Sequence, residues 1–201
     1  MSPLASAAVP KSTLKSATPR KPRSDAQRNR LHILEIAHDA FARSGAEVTM
    51  DEIAKLAKVG PGTLYRHFPT REALIEAVYR TELEKLATAE RELAATFPPV
   101  EALRAWMKLF VDYMATKLII SPVLYKIVAG GNNVFECSQS LIEGAMSSLL
   151  AKAVASGDIR ADVEPMDLLW ALYGSTQAAP KEIWPIKAKQ LVDILIRGAK
   201  P

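Results

Sequence analysis

The sequence has 201 residues, 49% of them apolar and 24% charged, which is enough apolar material for a substantial hydrophobic core. Its longest apolar runs fall far below the roughly eighteen residues of a membrane span, and its opening residues lack the pattern of a secretory signal. Together with a lone cysteine, Cys137, which has no internal disulfide partner, this predicts a cytoplasmic globular protein.

The first thirty residues carry a separate concentration of positive charge. They hold seven Lys or Arg against one Asp, a net charge of +6, whereas the remaining 19 basic and 21 acidic residues give −2. Residues 1–24 are rich in Ser, Pro and Ala, so they are predicted to form a disordered basic arm. Two interpretations stay open: a solvated tail that aids solubility, or an arm that lies on DNA phosphates or in the minor groove.

Beyond the arm, apolar residues recur every three or four positions, and no stretch shows clear period-two alternation. The sequence therefore predicts an all-α fold. A first helix is predicted over residues 25–44, with Asp25 as its N-cap. Gly45 is placed to end this helix in the left-handed conformation.

Two short helices follow, separated by a tight turn. Thr49 and Glu52 have the spacing of a capping box, which predicts a second helix that begins at Thr49 and ends near Ala57. Pro61 stands at the first position of a third helix of about two turns, where its missing N–H costs nothing. A fourth and much longer helix is predicted to begin at Thr70.

Short helices joined by three- to four-residue turns and followed by a long helix have the arrangement of a helix-turn-helix DNA reader. Three stretches carry a closer likeness: Phe41-Ala42-x-x-Gly45, Thr49-x-x-x-Ile53-Ala54-x-x-Ala57-x-Val59 and Gly62-Thr63-Leu64-Tyr65-x-His67-Phe68-x-x-Arg71-Glu72-x-Leu74. With these motifs, residues 28–88 resemble the N-terminal domain of TetR-family transcriptional regulators. The resemblance implies a DNA-binding domain over residues 25–88, with its helix-turn-helix motif at about 49–68.

The residues in and around the third helix suit a DNA groove. Gly60 and Gly62 keep its front slim enough for the backbone to approach base edges, and Pro61 offers an apolar ring to a thymine methyl. Hydroxyl, imidazole and cationic groups nearby can donate to phosphates or bases. The predicted DNA-binding residues are Thr49, Lys58, Gly60, Pro61, Gly62, Thr63, Tyr65, Arg66, His67, Thr70 and Arg71. Leu64 and Phe68 are predicted to be core residues instead.

Some of these residues have more than one interpretation. Tyr65 and His67 are also compatible with a packing aromatic ring and a surface imidazole, and Arg66 could reach a guanine, a phosphate or only solvent. Lys58 departs from the family pattern, which commonly has Gly in this turn, and a positive φ at Lys58 would cost about 1 kcal/mol. A contact between Lys58 and a phosphate would offset that cost. Asp51 and Glu52 lie in the first turn of the second helix, where their negative charge suits the helix end but is unfavourable beside DNA. The third helix, rather than the second, is therefore predicted to read the bases.

From residue 89 onwards the sequence predicts a different unit, an orthogonal helical bundle over residues 89–201. Its helix boundaries are marked by proline, glycine and asparagine, at Pro98-Pro99, Ser121-Pro122, Gly130-Gly131, Asn133, Gly157 and Pro165. In particular, Ser121-Pro122 is predicted to begin a separate short helix. The two last helices are predicted over about 166–177 and 182–197.

In TetR-like proteins such a region holds a small-molecule pocket and, in its last two long helices, the dimer interface, so the resemblance implies both here. Large apolar side chains with a few polar tips predict a site for a hydrophobic or aromatic effector at Trp106, Met107, Phe110, Tyr113, Met114 and Tyr125. Excess apolar surface in the last two helices predicts a homodimer interface at Leu168, Leu169, Leu172, Tyr173, Trp184, Leu191 and Leu195. For each pocket residue, ordinary core packing is the competing interpretation.

The sequence thus predicts a dimeric repressor that occupies a palindromic operator until an effector binds in the second half and shifts the fourth helix. Its predicted partners are double-stranded DNA, a small-molecule effector and a second copy of the chain, with no membrane, metal or other cofactor. An enzyme is not expected, because the second half has no histidine and no nucleophile-base-acid set. The alternative is an architectural, nucleoid-associated DNA binder with the same head and no effector.

Overall fold

The computed structural model describes residues 22–129 and 136–201 of the chain. These residues form eight helices and no strand: α1 (Pro22–Ser44), α2 (Met50–Leu56), α3 (Pro61–His67), α4 (Arg71–Thr96), α5 (Pro99–Ala129), α6 (Glu136–Ala155), α7 (Pro165–Ser175) and α8 (Trp184–Gly198). The predicted all-α fold is confirmed. Within the described ranges, no helix has the length and apolar character needed to cross a membrane.

Some predictions fall outside the described residues. They include the basic arm up to residue 21 and the helix boundaries at Gly130-Gly131 and Asn133. The last three positions of the predicted arm belong to α1, which begins at Pro22 rather than Asp25. Asp25 is therefore not the N-cap: it lies in the first turn and pairs with Arg28, where its charge complements the partial positive charge of the helix N-terminus.

Helices α1 to α3 and the start of α4 form the N-terminal half, which we call the head, and its turns follow the local signals in the sequence. The amide of Glu52 donates to the Thr49 hydroxyl at 3.2 Å, and the amide of Thr49 donates to the Glu52 carboxylate at 2.8 Å, which completes the predicted capping box. Gly45 ends α1 with φ of 78°, in the left-handed region. Thr70 caps α4 by accepting a hydrogen bond from the amide of Ala73 at 3.1 Å.

Burial of two apolar side chains fixes the orientation of α3. Leu64 and Phe68 are almost completely buried and belong to the same apolar cluster as Phe41 of α1, Ile53 of α2 and Leu74 of α4. The predicted core assignment of Leu64 and Phe68 is therefore confirmed. Because these two side chains point inward, the opposite side of α3 is left facing outward.

Helix α4 belongs to both halves of the molecule. Its 26 residues span about 39 Å, from the end of the helix-turn-helix into the second half of the molecule. We call this second half, formed by helices α5 to α8 and the far half of α4, the body. In the body, the Trp106 indole donates to the carbonyl of Leu86 at 3.0 Å, and Ser148 donates to the carboxylate of Glu90 at 2.6 Å. These bonds join the far half of α4 to α5 and α6.

The predicted helix break at Ser121-Pro122 is wrong, because α5 runs unbroken through Pro122. Proline has no N–H for the carbonyl of residue i−4, which here is Leu118. The Ser121 hydroxyl donates to this carbonyl at 3.0 Å and replaces the missing backbone bond. The local substitute allows one helix of 31 residues where the sequence pattern suggested two.

Helix α8 closes the body by packing on α5. One stripe of α8, formed by Trp184, Ala188, Val192 and Ile196, is buried. Beside it, the Asp193 carboxylate accepts from Arg104 at 2.7 Å and lies 3.1 Å from the Lys108 ammonium. The hydrogen bonds from Arg104 and Lys108 hold the pKa of Asp193 below its ordinary value, so this ionic contact between α5 and α8 persists at neutral pH.

Candidate nucleic-acid interface and adjoining cavity

The outward side of α3 presents small, aromatic and cationic groups together. Gly60, Pro61, Gly62 and Arg66 are exposed, and 45% of the Tyr65 side chain is exposed. Thr63 and His67 are half-buried at the flanks of this surface. We call the exposed side of α3 and its two flanking turns, residues 58–71, the reading surface.

Nothing inside the molecule requires glycine at the front of the reading surface. Gly60 has φ of −67° and ψ of 148°, a conformation open to any residue, and Gly62 lies within α3. A Cβ added at either position would meet no atom within 4 Å. The space these glycines leave is therefore open to a bulky external partner that approaches the backbone closely, as a DNA groove does.

The turn between α2 and α3 is the place where the sequence departs from the family pattern. Lys58 adopts φ of 55°, so a lysine occupies a left-handed position that glycine would occupy without strain. The turn closes through the amide of Val59, which donates to the carbonyl of Ala54 at 3.0 Å. His32 of α1 donates from Nε2 to the carbonyl of Ala57 at 3.2 Å and supports the turn from behind. Sequence reasoning missed His32, because its partner lies 25 residues away.

Cations surround the reading surface from several elements. The Arg30 guanidinium lies 4.9 Å from the centre of the Phe68 ring, a cation–π contact that brings a charge of α1 to the end of α3. Arg71 is half-buried and donates to the carbonyl of Val48 at 3.3 Å, which fixes its position at the start of α4. Lys58 and Arg66 are exposed. Arg30 was not among the predicted residues, and nothing in the local spacing indicated its contact with Phe68.

Helices α2 and α3 differ in the charge they offer. Helix α2 has Asp51 and Glu52 in its first turn, whereas α3 has no acidic residue and carries Arg66 and His67 in its last turn. Hydrogen bonds from the amide and hydroxyl of Thr49 hold the pKa of Glu52 below its ordinary value, so that carboxylate stays ionised at neutral pH. The charge pattern therefore favours α3 over α2 as the element that approaches a polyanion. The predicted contacts Thr49 and Thr70 already act as helix caps.

A cavity of about 300 Å³ lies in the body between α5, α6 and α7. Apolar side chains form one part of its lining: Phe110, Met114, Ile142, Met166, Leu169 and Trp170. Polar groups form the other part: Tyr113, Lys117, Ser138, Gln139, Glu143 and Tyr173. A hollow of about 500 Å³ on the head, between α1 and α2, has a largely exposed lining and lies apart from this cavity.

Three of the six predicted effector residues, Phe110, Tyr113 and Met114, line the cavity. Trp106 and Met107 are completely buried outside its lining, and Tyr125 is 61% exposed on the outer side of α5. Lys117 continues the stripe of Phe110, Tyr113 and Met114 by one helical turn, so the spacing on α5 could have indicated it. The contributions of α6 and α7 could not be foreseen, because they depend on how the helices pack.

The segment of α5 that lines the cavity also bonds to the helices of the head. The Tyr113 and Tyr79 hydroxyls are 2.9 Å apart, a buried hydrogen bond between α5 and α4. Burial and the bond to Tyr79 raise the pKa of Tyr113 far above its ordinary value, so its phenol stays neutral. One turn further along α5, the hydroxyl of Thr116 lies 3.0 Å from Nε2 of His38 in α1. A single stretch, residues 113–117, therefore faces the cavity and the head at once.

Helices α7 and α8 expose apolar side chains on their outer sides. Among the predicted interface residues, Leu168, Leu169, Leu172 and Trp184 are buried within the protomer, whereas Tyr173 is exposed and Leu191 and Leu195 are half-buried. Sequence reasoning missed further exposed apolar residues: Trp170, Ile183, Ile186 and Ile194. Both stripes of α8 are apolar, so periodicity alone could not tell which of them faces the protomer core.

The two halves match two parts of one family of proteins. Residues 33–78 match the profile described as bacterial regulatory proteins, tetR family, and residues 98–201 match that of the C-terminal domain of SbtR-like transcriptional regulators. An HTH-type transcriptional regulator of Staphylococcus aureus strain USA300 is 33% identical over 119 residues, a match that spans 59% of this chain. The match covers 63% of that relative, less than two thirds of its length.

Solved structures extend the likeness to most of the chain. A TetR transcriptional regulator from Streptomyces coelicolor is 40% identical with a TM-score of 0.77, and the alignment covers 86% of this chain and 98% of that one. A TetR regulatory protein from Mycobacterium vanbaalenii is 33% identical with a TM-score of 0.69, covering 89% and 99%. A γ-butyrolactone receptor described as ArpA-like, 24% identical with a TM-score of 0.58 over 88% and 90%, shares the fold.

Proposed function

We propose that this chain, which belongs to the TetR family of bacterial transcriptional regulators, is a homodimeric repressor that leaves a palindromic operator when a small hydrophobic or aromatic effector fills the body cavity. The observation that carries this proposal is the segment 113–117 of α5, which lines the cavity and bonds to two helices of the head. As a regulator of transcription, the protein would act in the cytoplasm, where the chromosome lies.

The reading surface supplies the DNA contacts in this proposal. Helix α3 enters the major groove, with Gly60 and Gly62 allowing close backbone approach and Tyr65 and Arg66 reaching phosphates or base edges. Lys58 and Arg30 lie on flanking elements, where their charges would meet the phosphates on either side. Most of these groups position the protein, so base discrimination would come from few side chains.

The outer sides of α7 and α8 supply the dimer contact. Ile186 and Ile194 of α8 are each more than half exposed, and so are Trp170 and Tyr173 of α7, which also line the cavity. A group of large exposed apolar side chains is typical of a protein interface, and a dimer formed here would border the cavity. A second copy packed here would build a four-helix interface of the kind found in symmetric dimers. Two copies of α3 could then read two half-sites about 34 Å apart, one turn of DNA.

Effector binding would act on DNA through α4. A ligand in the cavity meets Tyr113, whose hydroxyl bonds to Tyr79 in the first half of α4. Because α4 continues directly from the helix-turn-helix, a small displacement at Tyr79 changes the angle of α3 and the separation of the two reading surfaces. Coupling of about 1 to 3 kcal/mol would change operator occupancy roughly 5- to 150-fold.

An architectural DNA binder without effector is the second candidate. A tightly filled body would favour it, whereas the cavity of about 300 Å³, at the lower end of the range for ligand sites, favours the effector-controlled repressor. Among the described residues of the body no histidine, cysteine and carboxylate cluster could hold a metal. An enzyme would need an acid-base set, and the body offers no histidine for it.

Selection of binding sites from random DNA with the full chain tests the proposal. We expect a palindrome whose half-sites lie one turn apart, and Tyr65→Ala should weaken binding to it about ten- to a hundredfold. Tyr125→Ala, which removes an exposed tyrosine from α5, is the matched control and should leave affinity unchanged. Recovery of unpaired sites with no preferred spacing would contradict the dimeric reader. Operator affinity that stays constant with every compound bound in the cavity would contradict effector release.

A further inference from the structure

The cavity has a buried floor and an exposed rim. Phe110, Tyr113 and Leu169 of its lining are between 2% and 5% exposed, so its inner end is shielded from water. Trp170 and Tyr173 also line the cavity, yet they are 64% and 57% exposed. We call these two residues, which lie one turn apart on the same side of α7, the cavity rim. A ligand seated on the floor would therefore have its outer end beside exposed aromatic rings.

The cavity rim belongs to a larger apolar surface. Twelve large apolar side chains are exposed in the described part of the chain, and five of them lie on α7, α8 and the residue before α8: Trp170, Tyr173, Ile183, Ile186 and Ile194. The Trp184 indole donates to the Ser175 hydroxyl at 3.0 Å and joins the start of α8 to the end of α7. The cavity rim is therefore continuous with the proposed dimer interface.

A second copy of the chain is the occupant that this surface fits best. Asp167 is the only charged residue of α7. A two-fold interface brings the same surface of both protomers together, so a surface with few charges meets its copy without like-charge repulsion. Trp and Tyr are also the residue types that most often anchor such interfaces. A dimer packed here would place α7 of the partner over the cavity rim.

The cavity needs such a cover to hold a ligand tightly. Ligand sites bury roughly 70–90% of the ligand surface, which a cavity of about 300 Å³ with an exposed rim does not achieve in one protomer. Covering roughly 60 Å² of apolar ligand surface raises affinity about tenfold. The lining holds one cationic residue, Lys117, and one anionic residue, Glu143, so its net charge of zero suits an uncharged ligand.

We infer that a second copy of the chain completes the cavity, with α7 of the partner closing the rim over a neutral apolar or aromatic ligand. The ligand then binds the dimer more tightly than the monomer, and by linkage each bound ligand strengthens the dimer by the same factor. An effector would therefore release DNA by reorienting the two heads within an intact dimer. This inference rests on the proposed effector site and the proposed dimer, and it gives the dimer a part in ligand binding.

Ile194→Glu tests the inference, because Ile194 is exposed on α8 and lies outside the cavity lining. The variant should sediment as a monomer that keeps every residue of its own cavity. The probe is N-phenyl-1-naphthylamine, a neutral aromatic compound that brightens in apolar surroundings. It should bind this monomer at least about tenfold more weakly than it binds the wild-type dimer. Ile186→Glu makes the same change at another exposed position of α8 and should act alike.

Tryptophan fluorescence reports on the cavity rim without any probe. The chain has three tryptophans, and Trp106 and Trp184 are 0% and 2% exposed, so Trp170 is the one open to a quencher in water. Acrylamide should quench Trp170 more strongly in the Ile194→Glu monomer than in the wild-type dimer, where the partner would cover it. Trp170→Phe should remove the quenchable signal and so identify its source.

Two controls keep the effects separate. Leu141→Glu introduces the same charge at an exposed position of α6 outside the cavity lining. It should leave the dimer, the quenching of Trp170 and the probe affinity unchanged. Met166→Trp fills the cavity and should abolish probe binding. Circular dichroism reports whether each variant is folded.

The outcomes distinguish the inference from the proposed function. A monomeric Ile194→Glu protein that binds the probe as tightly as wild type would overturn the inference, while the cavity remains a ligand site. Equal quenching of Trp170 in the wild-type dimer and the monomer would overturn it as well. If Ile186→Glu and Ile194→Glu both remain dimeric, the proposed interface is wrong and the inference fails with it. Probe binding that survives Met166→Trp, or a wild-type protein that binds no probe, would contradict the effector site itself.

Discussion

At the scale of single residues, Lys58 and Gly62 stand where the opposite kind of residue would be expected, since glycine is usual at positive φ and unusual inside a helix. Lys58 takes a positive φ of 55° that would suit glycine, whereas Gly62 sits within a helix, where glycine is a poor choice. Neither residue is the most stable choice for the isolated fold. Both lie on the reading surface, where an external partner rather than internal packing would give the reason.

Gly62→Ala should separate stability from DNA binding. Because a Cβ at this position meets no atom within 4 Å, alanine should stabilise the protein by up to about 1 kcal/mol. The same methyl group would obstruct the approach of the backbone to DNA, so operator affinity should fall at least tenfold. Thermal unfolding and fluorescence anisotropy with operator DNA measure the two effects. Gly144→Ala on α6 is the control and should raise stability without changing DNA affinity. If Gly62→Ala leaves DNA affinity unchanged, the backbone of α3 does not approach DNA closely at this position.

Lys58→Gly should also act on two quantities. Glycine relieves the positive φ, so the free energy of unfolding should rise by about 1 kcal/mol. If Lys58 contacts a phosphate, its loss should reduce the slope of log affinity against log salt by about 1 for each protomer. Lys55→Gly, at an exposed position of α2, tests whether any lysine removed from the head gives the same slope change. An unchanged slope for Lys58→Gly would leave the strain at this turn without a DNA contact to offset it.

At the scale of elements, α5 depends on one side-chain hydrogen bond at its proline. Ser121→Ala would leave the Leu118 carbonyl without the hydroxyl donor and should destabilise the protein by about 1 kcal/mol. Pro122→Ala restores a backbone N–H for that carbonyl and should make Ser121 dispensable. A double-mutant cycle, measured by unfolding in urea, gives this coupling. If the effects of Ser121→Ala and Pro122→Ala on the free energy of unfolding simply add, the Ser121 hydroxyl does not replace the missing backbone N–H.

At the scale of the whole molecule, the proposed effector release depends on α4, which follows the reading surface in the chain and bonds to the cavity-lining helix α5. Tyr79→Phe removes its hydroxyl contact with Tyr113 but leaves the cavity lining intact. We expect ligand affinity within about twofold of wild type and a clearly smaller drop in operator affinity on ligand binding, because less of the coupling free energy reaches α4. Titrations of ligand and operator, alone and together, measure both quantities. Tyr125→Phe is the matched control, and a fully retained response in Tyr79→Phe would rule out this route.

The proposed dimer is a second property of the whole molecule. Ile194→Glu places a charge on the outer side of α8, at a side chain that is 58% exposed in the protomer. Burying that charge in a dimer is costly, so the variant should sediment as a monomer and lose most of its affinity for a palindromic operator. Leu141→Glu makes the same change on α6, at a side chain that is 46% exposed, and should remain dimeric. If the Ile194→Glu protein remains dimeric, the interface does not include the outer side of α8.

The local structure of the head could be predicted because its signals act over a few residues. The capping box of Thr49 and Glu52, the proline that opens α3 and the glycine that ends α1 each depend on groups within about four positions. The all-α fold and the family resemblance follow from the same local patterns. The unbroken α5 was missed although its cause is also local, since a serine before proline is a weaker signal than the proline itself.

The sequence by itself determined the all-α fold, the short helices α2 and α3 and the family of this protein. Only the tertiary structure decided which helices form the cavity, which apolar stripe of α8 is exposed, and how the body meets the head. Tyr79 and Tyr113 are 34 residues apart and His38 and Thr116 are 78 apart, so no periodicity predicts their contacts. The physical reason is that burial of apolar surface is non-directional: many pairings of apolar stripes release similar free energy, and close packing of the whole chain selects among them.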